Sequence, residues 1–104
     1  MSDSFYKQAY QIIHTELEQE KAAIEKEIDK TKFHLIKSQI NSGLFDIGNY
    51  EYELSLFKDQ IEDMRKKLFN VEEQIQKLEA VYGYMQDDAF AALDSEFDKE
   101  LKKN

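Results

Sequence analysis

The two histidines are the residues of this chain with the most possible chemical roles, since imidazole can bind a metal or transfer a proton near neutral pH. His14 has Glu18 four residues later, a spacing that places both side chains on one face of a helix, where metal sites use such pairs. Helical di-iron bundles, however, need a glutamate three residues before the histidine. Gln11 stands there before His14, and Thr31 before His34. We therefore expect no metal and no cofactor, and interpret both histidines as structural or surface residues.

The sequence also lacks the motifs that mark a catalytic nucleophile or a phosphate-binding loop. The chain has no cysteine, no glycine-rich phosphate loop and no Gly-x-Ser-x-Gly elbow. Its serines fall near expected helix ends or on polar faces, where capping or hydration explains them. Two long helices would also enclose little volume for a substrate pocket. We therefore expect that the protein is not an enzyme and that its function is binding.

The composition predicts a small, acidic helical protein. The 104 residues include no proline and only three glycines, with 41% hydrophobic residues and a net charge of -8. A chain of this length buries one modest core, so we expect a single helical domain over residues 1–104. The pI near 4.7 argues against binding to nucleic acid. No apolar run approaches the ~20 residues of a membrane helix, and the first residues do not resemble a secretory signal, so we expect a cytoplasmic protein with no membrane insertion.

The clearest helical pattern covers about residues 50–85. Steps of four and three residues pass through eleven positions, and every one is apolar or aromatic. Five uninterrupted heptads are typical of a helix that packs along one seam. Asn49 precedes the pattern, where its side chain can cap free backbone N–H groups. The seam consists of Tyr50, Leu54, Phe57, Ile61, Met64, Leu68, Val71, Ile75, Leu78, Tyr82 and Met85.

A second long helix is predicted over about residues 4–40. Its apolar residues recur at intervals of eleven, which corresponds to about 3.67 residues per turn and drifts in the opposite sense to a heptad. Towards its end this helix is apolar on more than one side, because Phe33, Ile36 and Ile40 join Leu35. The extra width predicts that a third surface packs against it, from this chain or from another.

The one convincing break between these helices lies at residues 41–49. Gly43 is placed to end the first helix in a left-handed conformation, and Asp46 and Asn49 can start the second. A connection this short makes the two helices antiparallel neighbours. The predicted fold class is therefore all-α: an elongated, coiled-coil-like antiparallel helical hairpin with a C-terminal third helical segment.

The last segment is predicted to be an amphipathic acidic tail helix over about residues 87–102. After Gly83 the heptad slips, and a new apolar pattern runs through Phe90 and Phe97. Two arrangements stay open, because the tail can continue the second helix, or the chain can kink near Gly83 and fold back. The slip favours the kink.

Apolar residues outside these patterns predict association. Tyr52 and Leu56 share a face away from the seam, and Phe69 also lies away from it. A two-helix hairpin leaves its seam partly open, and these residues widen the surface that must be covered. We therefore predict a non-enzymatic interaction module that binds another helical protein, or a second copy of itself, through helix–helix packing.

In size and layout the chain resembles the small helical-hairpin substrates and accessory proteins of type VII secretion. In those families an aromatic residue followed four positions later by an acid, beyond the second helix, helps to form the export signal. Tyr84 with Asp88 and Phe90 with Asp94 match this spacing. The Trp-x-Gly turn of WXG-type proteins is replaced here by Phe45-Asp-Ile-Gly48. This difference counts against an ordinary WXG-type protein, so the resemblance is to the divergent accessory proteins that escort LXG toxins. The resemblance implies an accessory or targeting factor for an exported toxin, itself exported without a signal peptide.

Two other functions fit the same features. One is a self-assembling coiled-coil structural protein of the phage or virion type, held together by the heptad seam. The other is an acidic inhibitor that mimics nucleic acid. The candidate partner-binding residues are Tyr52, Leu56, Phe69, Tyr84, Asp88, Phe90, Asp94 and Phe97.

Overall fold

A computed structural model describes residues 4–103 of the chain. Three α-helices make up this part: α1 at Phe5–Phe45, α2 at Tyr50–Tyr82 and α3 at Asp87–Lys102. No strand occurs among these residues, so the prediction of an all-α fold with a helical hairpin and a third helix is confirmed. No helix in the same range has the length and apolar character needed to cross a membrane.

The helices form two compact units. Unit 1 comprises Met1–Gln19 and Glu73–Asn104, and unit 2 comprises Glu20–Glu72. Helices α1 and α2 contribute to both units, whereas α3 belongs to unit 1. Both compact units are built on shared helices, and the single helical domain over residues 1–104 stays a prediction.

Unit 2 is an antiparallel pair formed by the later part of α1 and the earlier part of α2. Ile28 and Leu35 from α1 and Val71 from α2 are its buried residues. Near the turn, His34 Nε2 lies 2.6 Å from Glu53 Oε2. Because these two residues lie on either side of a short connection, their contact places the two helices side by side in opposite directions.

The seam predicted for α2 is present in the structure. None of its eleven side chains is exposed, and Val71 and Ile75 are buried. The helix also begins as predicted, because Asn49 Oδ1 accepts a hydrogen bond from the backbone N–H of Tyr52 at 3.1 Å. This bond satisfies one of the N–H groups that have no partner within the first turn of a helix.

The helix ends differ from the predicted bounds. α1 continues to Phe45, so the predicted turn at residues 41–49 is reduced to residues 46–49, and α2 ends at Tyr82 rather than near residue 85. The tail helix occupies residues 87–102, the same range as in the sequence prediction.

The reversal after α1 depends on an aspartate rather than on the glycine that the sequence suggested. Gly43 lies inside α1, and the left-handed residues are Asp46, with φ 59°, and Gly48, with φ 76°. The N–H of Ile47 donates to the carbonyl of Asn41 at 3.1 Å, which closes the end of the helix. The prediction for Gly43 is wrong because aspartate is among the few non-glycine residues that adopt the left-handed region readily.

The chain turns again at residues 83–86. The N–H of Gly83 donates to the carbonyl of Glu79 at 2.8 Å, and the N–H of Met85 donates to the carbonyl of Tyr82 at 3.1 Å. A Cβ atom at Gly83 would lie 2.5 Å from the Glu79 carbonyl oxygen. The turn therefore requires glycine, and of the two predicted arrangements the chain adopts the one that folds back.

Aromatic rings from all three helices form the core of unit 1. Phe90 in α3 is 3% exposed. Its ring centroid lies 6.2 Å from that of Tyr82 in α2 and 6.4 Å from that of Tyr10 in α1, and the two tyrosine rings are 5.8 Å apart. Aromatic pairs at these distances add stability beyond the apolar area that they bury. Phe90 therefore holds α3 against the other two helices.

Candidate partner-binding surfaces

Asp94 connects α3 to the first turn of α1. Its Oδ2 accepts a hydrogen bond from the N–H of Phe5 at 2.9 Å, and its Oδ1 accepts one from the N–H of Tyr6 at 3.0 Å. The next N–H, that of Lys7, donates to Ser4 Oγ at 3.2 Å. Three N–H groups that the start of a helix leaves without partners thus have acceptors. The carboxylate also lies where the dipole of α1 favours negative charge.

These contacts lower the pKa of Asp94 below the ordinary value of an aspartate. The loss of surrounding water is the largest single influence and raises the pKa. Hydrogen bonds from the N–H of Tyr6, the hydroxyl of Ser4 and the N–H of Phe5 together outweigh it. The carboxylate is therefore ionised at neutral pH and engaged within the chain.

Phe90 and Asp94 lie on one face of α3, as their four-residue spacing predicts, but this face packs against α1. The Phe90 side chain is buried in the aromatic core, and its carbonyl accepts a hydrogen bond from Ser4 Oγ at 3.4 Å. The Asp94 carboxylate caps α1. Phe90 and Asp94, both predicted to contact a partner, are thus engaged within the chain, Phe90 in the aromatic core and Asp94 at the start of α1.

The other predicted tail residues are exposed in unit 1. Tyr84 is 91% exposed and lies in the turn between α2 and α3. Asp88 lies in the first turn of α3, where its Oδ1 accepts a hydrogen bond from the N–H of Ala89 at 3.0 Å. Because Tyr84 precedes α3, it does not share a helical face with Asp88. Phe97 is half exposed, and its ring centroid lies 6.4 Å from that of Tyr6 with the two rings at 76° to each other.

An open apolar groove of about 380 Å³ lies in unit 1 between the start of α1 and the end of α3. Phe5, Ala9, Phe97 and Leu101 supply most of its apolar lining, and Asp98 lies beside them. The apolar pattern of the tail helix already contained Phe97 and Leu101. Their pairing with Phe5 was not visible in the sequence, because it depends on how α3 folds back.

An exposed apolar stripe runs along α1 in unit 2. Phe33, Ile36, Ile40 and Leu44 follow one another in steps of three and four residues, and each is between 50% and 75% exposed. Successive residues of an α-helix lie about 100° apart around its axis, so most of these side chains lie roughly 140–180° from the buried Leu35. We call these four residues the α1 stripe, and they point away from α2.

Three members of the α1 stripe, Phe33, Ile36 and Ile40, belong to the wide apolar surface predicted from sequence. Leu44 does not, because the prediction ends the helix at Gly43 and places Leu44 in the turn. The signal was nevertheless present, since Leu44 continues the spacing of Ile36 and Ile40 by one further step of four.

Tyr52 and Leu56, both predicted as partner-binding residues, are exposed on the side of α2 that points away from α1. Each is two residues from Leu54 of the seam, which corresponds to roughly 160° around the helix. Asp59 and Asp63 continue the same line in steps of three and four residues and are also exposed. We call Tyr52, Leu56, Asp59 and Asp63 the α2 face.

Phe69 is an isolated exposed residue. It is 64% exposed, the same fraction as Phe33 of the α1 stripe. Its neighbours three and four positions away on α2 are all charged: Arg65, Lys66, Glu72 and Glu73. Phe69 therefore belongs to neither apolar surface of unit 2.

The two outer sides of unit 2 have opposite charge near the turn. Residues 30–45 contain three lysines and no acid, whereas residues 46–63 contain six acids and one lysine. The Nζ of Lys37 lies 5.9 Å from the centroid of the Phe33 ring, so this lysine borders the stripe directly. The α1 stripe is thus an apolar surface with basic borders, and the α2 face is an apolar surface with acidic residues.

His14 has a buried Nε2 with no hydrogen-bond partner among the described residues. This atom lies 3.9 Å from Glu18 Oε1 and 3.6 Å from Glu79 Oε2, both longer than a hydrogen bond. Within residues 4–103, no group of three or more histidine, cysteine or acidic side chains has the geometry to hold a metal ion.

Comparison of the chain with protein-family models, with curated proteins and with solved structures finds no match.

Proposed function

We propose that this protein is a non-enzymatic interaction module that binds a helical partner, another protein or a second copy, by helix–helix packing. The observation that carries the proposal is the α1 stripe, four large apolar side chains on the side of α1 that faces away from α2. Fully burying one such side chain contributes about 1.5–3 kcal/mol. Apolar residues at steps of three and four along a helix form a continuous strip that a partner helix can cover.

The test is chemical cross-linking of a tagged chain in its native cells, followed by mass spectrometry. In the double variant Phe33→Ser with Ile40→Ser, we expect the amount of cross-linked partner to fall at least tenfold. The variant Phe69→Ser should retain it, because Phe69 has the same exposure as Phe33 but lies outside the α1 stripe. Circular dichroism checks that all three chains are folded. Equal cross-linking by the three chains would exclude the α1 stripe as the binding surface.

A finer form of the proposal is an accessory or targeting role for an exported toxin. Its support is the resemblance to type VII secretion accessory proteins together with the exposure of Tyr84, an aromatic residue that follows the second helix as in those families. In the native host, Tyr84→Ala with Asp88→Ala should abolish export and leave the cross-linked partner of the α1 stripe in place. Export at the wild-type level would reject this role without affecting the broader proposal.

A further inference from the structure

We propose that the α1 stripe of one chain packs against the α2 face of a second copy, so that copies of this protein associate side by side. The inference rests on the proposed function, because it names the partner that covers the α1 stripe. It assigns a role to two surfaces that lie on opposite sides of unit 2 and that no contact within the unit covers.

The apolar residues of the two surfaces lie at the same height in unit 2. His34 in α1 contacts Glu53 at 2.6 Å, and its ring centroid lies 5.4 Å from that of Phe57. Phe33 is therefore level with Leu56, although the two point to opposite sides of the helix pair. Moving a second copy sideways, without sliding it along the helices, brings its Leu56 against Phe33 of the first. The same movement brings Tyr52 to the level of Ile36.

The charges match in the same register. Counting three residues outward from the level of Phe33 and Leu56, Lys30 in α1 is level with Asp59 in α2. The sideways movement therefore places a lysine beside the α1 stripe opposite an aspartate of the α2 face. Opposite charges at the border of an apolar contact select the partner and fix its register.

The charge distribution also selects the α2 face over a second α1 stripe. Residues 30–45 carry three lysines and no acid, so a symmetric contact between two stripes would bring like charges together. Before this segment the charges alternate in sign, with Glu25, Glu27 and Asp29 around Lys26, so the excess of lysine belongs to residues 30–45, which contain the α1 stripe. The acidic α2 face is the complementary surface on the same chain.

The proposed contact joins two different surfaces, so each copy can use both at once. Such a contact closes into a ring or extends as an open stack, depending on the rotation between neighbours. It also leaves the heptad seam within each chain, where none of its eleven side chains is exposed. The assembly therefore differs from one held together by the seam itself.

Sedimentation velocity on the purified full chain tests the contact. We expect the wild-type mass to rise with concentration above the 12.3 kDa of a single chain. An α1 variant, Phe33→Ser with Ile40→Ser, and an α2 variant, Tyr52→Ser with Leu56→Ser, should each weaken self-association at least tenfold. Because each variant keeps one intact surface, a mixture of the two should form a complex that stops at two chains. Phe69→Ser should behave as the wild type.

A charge exchange tests the register with the apolar residues unchanged. Lys30→Glu should weaken self-association, and Asp59→Lys in the same chain as Lys30→Glu should restore it, since the pair is then reversed rather than removed. Both variants retain the α1 stripe, and circular dichroism confirms their helix content.

Three results would overturn the inference: a wild-type chain that stays monomeric at all concentrations, a mixture of the two serine variants that forms no dimer, or a charge exchange that restores nothing. A monomeric wild type whose α1 variant still loses a cross-linked protein in native cells would reject self-association and retain the proposed function. If the α1 variant kept both its self-association and its cross-linked partner, the inference and the proposed function would both be rejected.

Discussion

A single carboxylate shows how this chain uses its acids. Asp94 accepts the N–H groups of Phe5 and Tyr6 and so acts as a cap supplied to α1 by a different helix. In sequence the same residue appeared as half of an aromatic–acid pair for an external receptor. The four-residue spacing correctly placed Phe90 and Asp94 on one face, but spacing does not say whether a face is covered.

Replacement of Asp94 by asparagine should destabilise the protein in a pH-dependent way. The folded-state pKa is lowered, so the ionised carboxylate contributes stability above the pKa of an unfolded aspartate, about 3.9. This contribution disappears as the pH falls through the lower pKa of the folded protein. Urea unfolding from pH 7 to pH 2 should therefore show the wild type more stable than Asp94→Asn near neutrality and equal to it at the acid end.

Asp98→Asn is the control for that measurement, since it removes the next carboxylate on the same face of α3. Its difference from the wild type should be smaller at neutral pH, because Asp94 is the residue that accepts the N–H groups of α1. A constant difference between wild type and Asp94→Asn at every pH would contradict the assigned role.

Phe90→Ala and Phe69→Ala should separate core from surface among the predicted partner-binding phenylalanines. Truncation of a buried phenylalanine costs about 3–5 kcal/mol, and Phe90 is 3% exposed and packs against two tyrosine rings. Substitution of an exposed residue such as Phe69 changes stability by roughly 0.5 kcal/mol or less. Equilibrium unfolding in urea measures both values. Similar losses from the two variants would show that the aromatic cluster does not hold unit 1 together.

At the scale of the helices, Gly43 and Gly83 should respond oppositely to alanine. Gly43 lies within α1, and a Cβ atom added there would have no neighbour within 4 Å, so Gly43→Ala should stabilise by roughly 0.5–1 kcal/mol. At Gly83 a Cβ would lie 2.5 Å from the Glu79 carbonyl oxygen, so Gly83→Ala should destabilise by more than about 1 kcal/mol. Thermal unfolding followed by circular dichroism tests both predictions. If both substitutions changed the stability in the same direction, the helix ends described here would be contradicted.

The helices show which parts of the fold were readable from sequence. The seam of α2 was readable because each of its eleven positions repeats one local relation, apolar every three or four residues. The end of α1 was not, because Gly43, Asp46 and Gly48 all permit a reversal and their local preferences do not choose between them. The groove beside Phe5 was not readable either, since it joins residues from opposite ends of the chain.

At the scale of the whole molecule, the two units carry very different charge. Unit 1 contains eleven acids and five basic residues, whereas unit 2 contains eleven acids and nine basic residues. Most of the net charge of -8 therefore belongs to unit 1. The surfaces proposed for self-association lie in unit 2, where repulsion between copies is smallest and where, near the turn, residues 30–45 are basic and residues 46–63 are acidic.

This separation predicts how salt should act on self-association. Added salt screens both the attraction between Lys30 and Asp59 of neighbouring copies and the general repulsion between acidic chains, since the screening length falls from about 10 Å at 0.1 M to 3 Å at 1 M. Because unit 2 is nearly balanced in charge, the local attraction should dominate, and wild-type association should weaken as salt rises. In the Lys30→Glu variant the local term becomes repulsive, so its weak association should strengthen over the same range. Sedimentation at several salt concentrations measures both slopes, and slopes of the same sign would show that this lysine does not face an acidic surface in the assembly.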